Sequence, residues 1–144
     1  MVSLDLGLDR LPADRARHIV NAARAGFIVT FIGVTVLSLI PGKTMSDVNA
    51  FGIDDKIGHF LCYAGLGFFT MFSLRAARER LIGLAALALY GAALEVMQRL
   101  LDWEREGSVG DLFADTLGLA AGAAVALAAA NLLNRRMTGG RPPS

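Results

Sequence analysis

The sequence has a single cysteine, Cys62, and it lies in an apolar run. An intrachain disulfide and a cysteine-based zinc cluster are therefore excluded, and the thiol reads as a small buried hydrophobe. A surplus of charge is missing too: fourteen Lys and Arg stand against thirteen Asp and Glu, leaving a net charge of +1. Nucleic-acid binders carry a basic patch or stripe, so that class is set aside. Charge of both signs is scarce, at 19% of residues against about 25% in ordinary soluble domains. Apolar residues fill the space, with 54% of the 144 residues hydrophobic and a mean hydropathy of +0.50. Such a composition excludes intrinsic disorder and an ordinary water-soluble globule. The length is that of one domain.

Charge is absent from four stretches. Residues 25–40 carry none, 57–74 carry only His59, 81–94 are clean up to Glu95, and 116–134 carry none. A spanning helix needs about 20 mostly apolar residues. The first and third stretches reach that length only by taking in Arg24 with its upstream neighbours, and Glu95 to Leu101. The pattern predicts an all-α polytopic membrane protein with four transmembrane helices, near 20–40, 55–74, 80–100 and 112–133. A water-soluble bundle would need a polar stripe on each helix, and these stretches are apolar all round. A cleaved signal peptide is the alternative for the first helix, but Ser38-Leu39-Ile40-Pro41-Gly42 offers no small-x-small cleavage site. Residues 1–18 read as a polar cytoplasmic or interfacial lead-in, 19–134 as the membrane domain, and 135–144 as a basic disordered cytoplasmic tail.

Lys and Arg set the expected orientation. Arg10, Arg15, Arg17 and Arg24, then Arg75, Arg78 and Arg80, then Arg135, Arg136 and Arg141 put ten on one side; Lys43, Lys56, Arg99 and Arg105 leave four on the other. Both termini are expected in the cytoplasm, with 41–55 and 99–111 facing outward. The protein is then a multi-pass membrane protein.

The polar residues gather at the outer end. Asp54, Asp55, Lys56, His59 and Tyr63 open the second helix, Glu95, Gln98 and Arg99 close the third, and Arg105, Ser108, Asp111 and Asp115 lead into the fourth. The opposite end offers only Arg clusters that serve topology. Asp55, His59 and Tyr63 are four apart and share a helix face; Asp111 and Asp115 do the same, and Gly118 and Gly122 continue their stripe. Leu119 lies off that stripe. Glu95 lies roughly 20 Å above Leu81 along its helix, well inside a hydrocarbon layer about 30 Å thick, where a carboxylate marks a functional site by default. Plainer roles compete: Asp111, Asp54 or Asp55 as helix caps, Lys56 and Arg99 snorkelling, Glu95 in a structural ion pair with Arg99 or Lys56, and Gly118 with Gly122 as a close helix crossing.

Several blocks resemble the VanZ-like family. Asp55-Lys56-Ile57-Gly58-His59-Phe60-Leu61-Cys62-Tyr63-Ala64-Gly65-Leu66-Gly67 resembles its D-K-x-x-H-F-x-x-Y-x-x-L-G signature, and Glu95-Val96-Met97-Gln98 its E-x-x-Q. Arg105-Glu106-Gly107-Ser108-Val109-Gly110-Asp111-Leu112 is similar to its R-x-x-S-x-x-D-L, and Thr116-Leu117-Gly118 to the small-residue turn that follows. Leu37-Ser38-Leu39-Ile40-Pro41 is similar to the end of its first helix. Where the family often has Asn before the Thr-Leu-Gly stretch, this chain has Asp115, which adds local negative charge. The resemblance implies a four-helix bacterial membrane protein, associated in the founding member with low-level resistance to the glycopeptide teicoplanin.

Three functions fit. The preferred one is non-enzymatic: a site at the outer face that changes how envelope-targeting antibiotics or lipid-linked envelope precursors are handled. Lys56 and Arg105 would meet phosphate or carboxylate, Glu95, Gln98 and Asp111 would orient hydroxyls or amides, and Asp55, His59, Tyr63 and Asp115 complete the ligand set. The second is an intramembrane enzyme on a lipid-linked substrate, with Glu95 or His59 as general base. Its metal-dependent variant would use His59, Glu95, Asp111 and Asp115, but no fixed-spacing motif such as H-E-x-x-H occurs, and neither metal nor cofactor is expected. The third is a structural or partner-binding bundle. Expected partners are membrane lipid and a lipid-linked precursor or glycopeptide, and not nucleic acid.

Overall fold

The computed structural model describes residues 6–40, 54–101 and 108–138. Among the described residues the chain is all-helical, without strands. A 3-10 turn at Leu8–Arg10 precedes α1 (Ala13–Leu39), α2 (Asp55–Ser73), α3 (Ala77–Leu101) and α4 (Val109–Thr138). Local chemistry sets the ends. Pro12 stands directly before α1, where its fixed φ is compatible with entry into a helix. Asp54 caps α2 by accepting from the Lys56 N–H at 2.9 Å. The Glu79 carboxylate accepts from the N–H groups of Arg75 and Ala76 ahead of α3.

Two helices run well beyond the spans predicted near 20–40 and 112–133. α1 begins at Ala13 instead of near 20, because its first turns can be helical while carrying exposed polar residues; Arg17 Nε there donates to the Ala13 carbonyl. α4 continues through Arg135 and Arg136 to Thr138, where positive side chains meet the carbonyl end of the helix dipole.

Among the described residues, three helices are long and apolar enough to cross a membrane: Ala13–Leu39, Ala77–Leu101 and the Val109–Arg136 part of α4. α2 is not one of them, since Asp55, Lys56 and His59 all fall in its first five residues. It instead forms the hub of the bundle, packing most extensively on α4 and also on α1 and α3.

The distribution of polarity is inverted relative to a soluble protein. Leu89 and Leu100 are 72% and 78% exposed, and Ile28, Val29, Ile32, Phe113 and Leu117 also face outward, while Glu95 and Asp115 are 6% and 1% exposed. Apolar side chains outside and ionisable ones inside are the arrangement that lipid selects.

α2 and α4 cross at backbone contact. A Cβ at Gly118 would run into the Phe60 carbonyl, at Gly122 into the Ala64 carbonyl, and at Gly67 into that of Leu119. Small residues are required wherever two helix backbones approach so closely. The stripe of Asp111, Asp115, Gly118 and Gly122 therefore points inward. Leu119 does not lie outside the packed region: it joins Val34, Tyr63, Leu66, Leu87 and Leu94 in the core. The inward face of α4 is wider than one stripe because α4 also packs on α3.

The far end holds more than topology signals. The segment before α1 folds back on the bundle and buries Leu6 with Met71, Ala126 and Ala130. Beside it lies a cavity of about 680 Å³ whose lining includes Asp9, Arg17, Arg75 and Arg80. Arg80 is buried there, its Nε donating to the Leu74 carbonyl at 3.0 Å.

Candidate functional site

The opposite end brings together the C-terminal parts of α1 and α3 and the N-terminal parts of α2 and α4. Its centre is His59, one turn into α2. The capped start of α2 sets the register, so that Asp55, His59 and Tyr63 follow one another on one face, from exposed Asp55 at the helix start to buried Tyr63. His59 Nδ1 lies 2.9 Å from Asp115 Oδ1 on α4 and 3.9 Å from Glu95 Oε1 on α3, while its Nε2 is 4.0 Å from Asp55 Oδ2. Three helices thus deliver one imidazole and two buried carboxylates to one point. Their ligand atoms all fall within 4.8 Å of one another.

Around this centre, buried polar atoms lack hydrogen-bond partners: Glu95 Oε2, Asp111 Oδ1 and the Tyr63 hydroxyl. Buried polar groups are normally paired, so each unpaired one asks for an explanation. Tyr63 and Asp115 both border Gly91 on α3, one turn before Glu95. A Cβ there would lie 2.8 Å from the Tyr63 hydroxyl and 2.8 Å from Asp115 Oδ2. Beside His59, a cavity of about 60 Å³ is lined by Asp55, Gly58, Cys62, Tyr63 and the end of α1, enough for a few waters.

Asp111 belongs to a reciprocal cap. Ser108 precedes α4, its hydroxyl donating to Asp111 Oδ2 at 2.6 Å and accepting from the Asp111 N–H at 3.1 Å. Ser108 is therefore the capping residue and Asp111 sits three positions later. The second carboxylate oxygen of Asp111 is the unpaired one.

The remaining candidates are arranged differently. Lys56 is exposed, with its aliphatic stem beside Gly110. Gln98 is buried, and its Nε2 donates to the Ser38 carbonyl at 2.8 Å, tying α3 to the end of α1. Arg105 lies outside the described residues. Two contributors carried weaker sequence signals. Gly91 is readable only from its four-residue offset from Glu95, and Ser108 from its three-residue offset from Asp111.

Acidic groups held away from water beside a single imidazole can bind a cation or a hydrogen-bonding head group, or exchange protons through His59. A family model described as VanZ/LLP1 matches residues 15–132. The chain belongs to the VanZ-like family. The match takes in all three helices that supply the His59 centre. No curated protein and no solved structure matches the chain. Family membership and three span-length apolar helices together point to a membrane protein.

Proposed function

We propose that this VanZ-like protein is an inner-membrane protein of the bacterial envelope that crosses the bilayer four times with both termini inside. Its His59–Glu95–Asp115 centre then faces the outer leaflet. There it engages the polar group of a lipid-linked envelope precursor or a glycopeptide-type agent, and so alters susceptibility to drugs that act on the envelope. The observation that carries this reading is the burial of Glu95 and Asp115 against one shared histidine, supplied by three separate helices. A purely structural bundle has no use for such a cluster, because buried carboxylates are costly and an apolar core would be as stable. Lys56, together with Arg105 from the sequence between α3 and α4, is the source of positive charge for an anionic head group in this reading.

A second reading, an enzyme acting on a lipid-linked substrate, draws on the 2.9 Å contact of His59 Nδ1 with Asp115. A carboxylate that fixes one ring nitrogen orients the imidazole as a general base. Both readings meet the same test. Wild type and Glu95→Gln are expressed in a host lacking its own copy, membrane abundance is measured by immunoblot, and minimal inhibitory concentrations of glycopeptides and other envelope agents are compared. Wild type should change susceptibility and Glu95→Gln should not. Full activity of Glu95→Gln at normal abundance would remove the site from the function.

A further inference from the structure

We infer that His59, Glu95 and Asp115 form a three-ligand site for a divalent transition-metal ion, an inference that deepens the functional reading of the same centre. Geometry is the first support. Ligand atoms bound at about 2.0–2.2 Å to one ion must lie a little over 3 Å apart, and the two His59 contacts, 2.9 and 3.9 Å, bracket that separation. All three ligand atoms already lie within 4.8 Å of one another.

Charge is the second support. Glu95, Asp111 and Asp115 are all buried, and among the described residues the ionic contacts of Glu95 and Asp115 both run to His59. One imidazole cannot balance three carboxylates in a water-poor site, whereas a divalent ion offsets two of them directly. The third support is independent of the cluster's charge: Glu95 is more than nine-tenths buried, and its Oε2 has no partner. Binding the ion through Oε2, or through both carboxylate oxygens, removes that deficit.

The donor set narrows the ion. Imidazole nitrogen with carboxylate oxygen suits zinc or manganese, whereas magnesium and calcium prefer oxygen alone. Asp55 stands 4.0 Å from Nε2, the nitrogen pointing away from the other two ligands. A small closure would let Asp55 accept its proton, and a carboxylate behind a ligating histidine raises ligand basicity and fixes the tautomer. Three protein ligands leave a coordination position for water or substrate.

Metal content of the full chain tests this. Protein purified in detergent without chelator is analysed by mass spectrometry for zinc, manganese, iron and magnesium. It is then stripped with EDTA, and its melting temperature is followed during zinc and manganese titrations. About one bound transition ion per chain, and a melting temperature that falls on stripping and recovers on titration, are expected. His59→Gln and Asp115→Asn should lose the ion, and Glu79→Gln, at the other end of the bundle, should keep it. Folded wild type without metal, and without a response to either ion, overturns the inference; so does equal loading of wild type, His59→Gln and Asp115→Asn. Should the site variants fail to fold, the strip-and-restore response of wild type decides alone. The susceptibility assay reads the functional proposal separately: loss of activity in Glu95→Gln alongside metal-free wild type would end the metal site and leave that proposal standing.

Discussion

Among single residues, the structure separates those directed into the centre from those that hold it. Asp55, His59 and Tyr63 were legible as one face because they are four apart, and Asp111 and Asp115 likewise. The joining of those faces through His59 was not legible in spacing, since His59 and Asp115 are 56 residues apart. For the same reason no metal motif of fixed spacing could reveal a three-helix ligand set. Gln98 shows the opposite limit. Its position beside Glu95 suggested ligand contact, yet its Nε2 is spent on the Ser38 carbonyl, which lies in the last turn of α1 and so has no partner within that helix. A hydrogen bond between helices in a membrane is worth about 0.6–2 kcal/mol, so Gln98→Leu should lower stability by roughly that much. Denaturation in mixed detergent measures it, and unchanged stability would mean that α1 is held by its apolar contacts alone.

At the scale of helices, the positions of all four were legible from charge-free stretches, while their ends were not. Apolarity marks where a helix meets lipid or core, and α1 and α4 continue as helices beyond that zone. The α2–α4 crossing was legible from Gly118 and Gly122, but the width of the buried face was not. A spacing rule follows one stripe, and α4 packs on two neighbours. Gly122→Ala should therefore destabilise by more than about 1 kcal/mol, since even one methyl meets the Ala64 carbonyl and overpacking costs about 1–3 kcal/mol. Leu119→Ala should cost about 2–5 kcal/mol by leaving a cavity in the core. Ala124→Leu, on the exposed side of α4, should stay within about 0.5 kcal/mol. Thermal unfolding of the three variants in one detergent checks the order. A harmless Gly122→Ala would mean that the two backbones are further apart than the structure has them.

For the whole molecule, α2 stands apart, since over a span length its composition is less apolar than that of the other three helices. Hydropathy is a measure of fitness for lipid, and α2 has little lipid to meet: it is the hub, packed on α1, α3 and α4. His59 faces the centre, and Asp55 and Lys56 lie exposed in its first turn, where they can reach the interface, so they do not tell against a crossing. At about 1.5 Å per residue, its 19 residues reach about 28 Å, close to a hydrocarbon thickness of about 30 Å. The neighbours also constrain it. α1 and α3 are joined near one end through Gln98 and Ser38, and α2 runs between them with His59 at that same end. If α1, α3 and α4 cross, α2 must run back through the layer to connect the end of α1 with the start of α3. With that topology ten of the fourteen Lys and Arg are on the side of the two termini, and the charge asymmetry predicts that side to be cytoplasmic. Reporter fusions after residues 48 and 106 should read extracytoplasmic, and fusions at residue 78 and the C-terminus cytoplasmic. A cytoplasmic signal at 106 would put the His59 centre on the inner side and withdraw it from any encounter with outer-leaflet ligands.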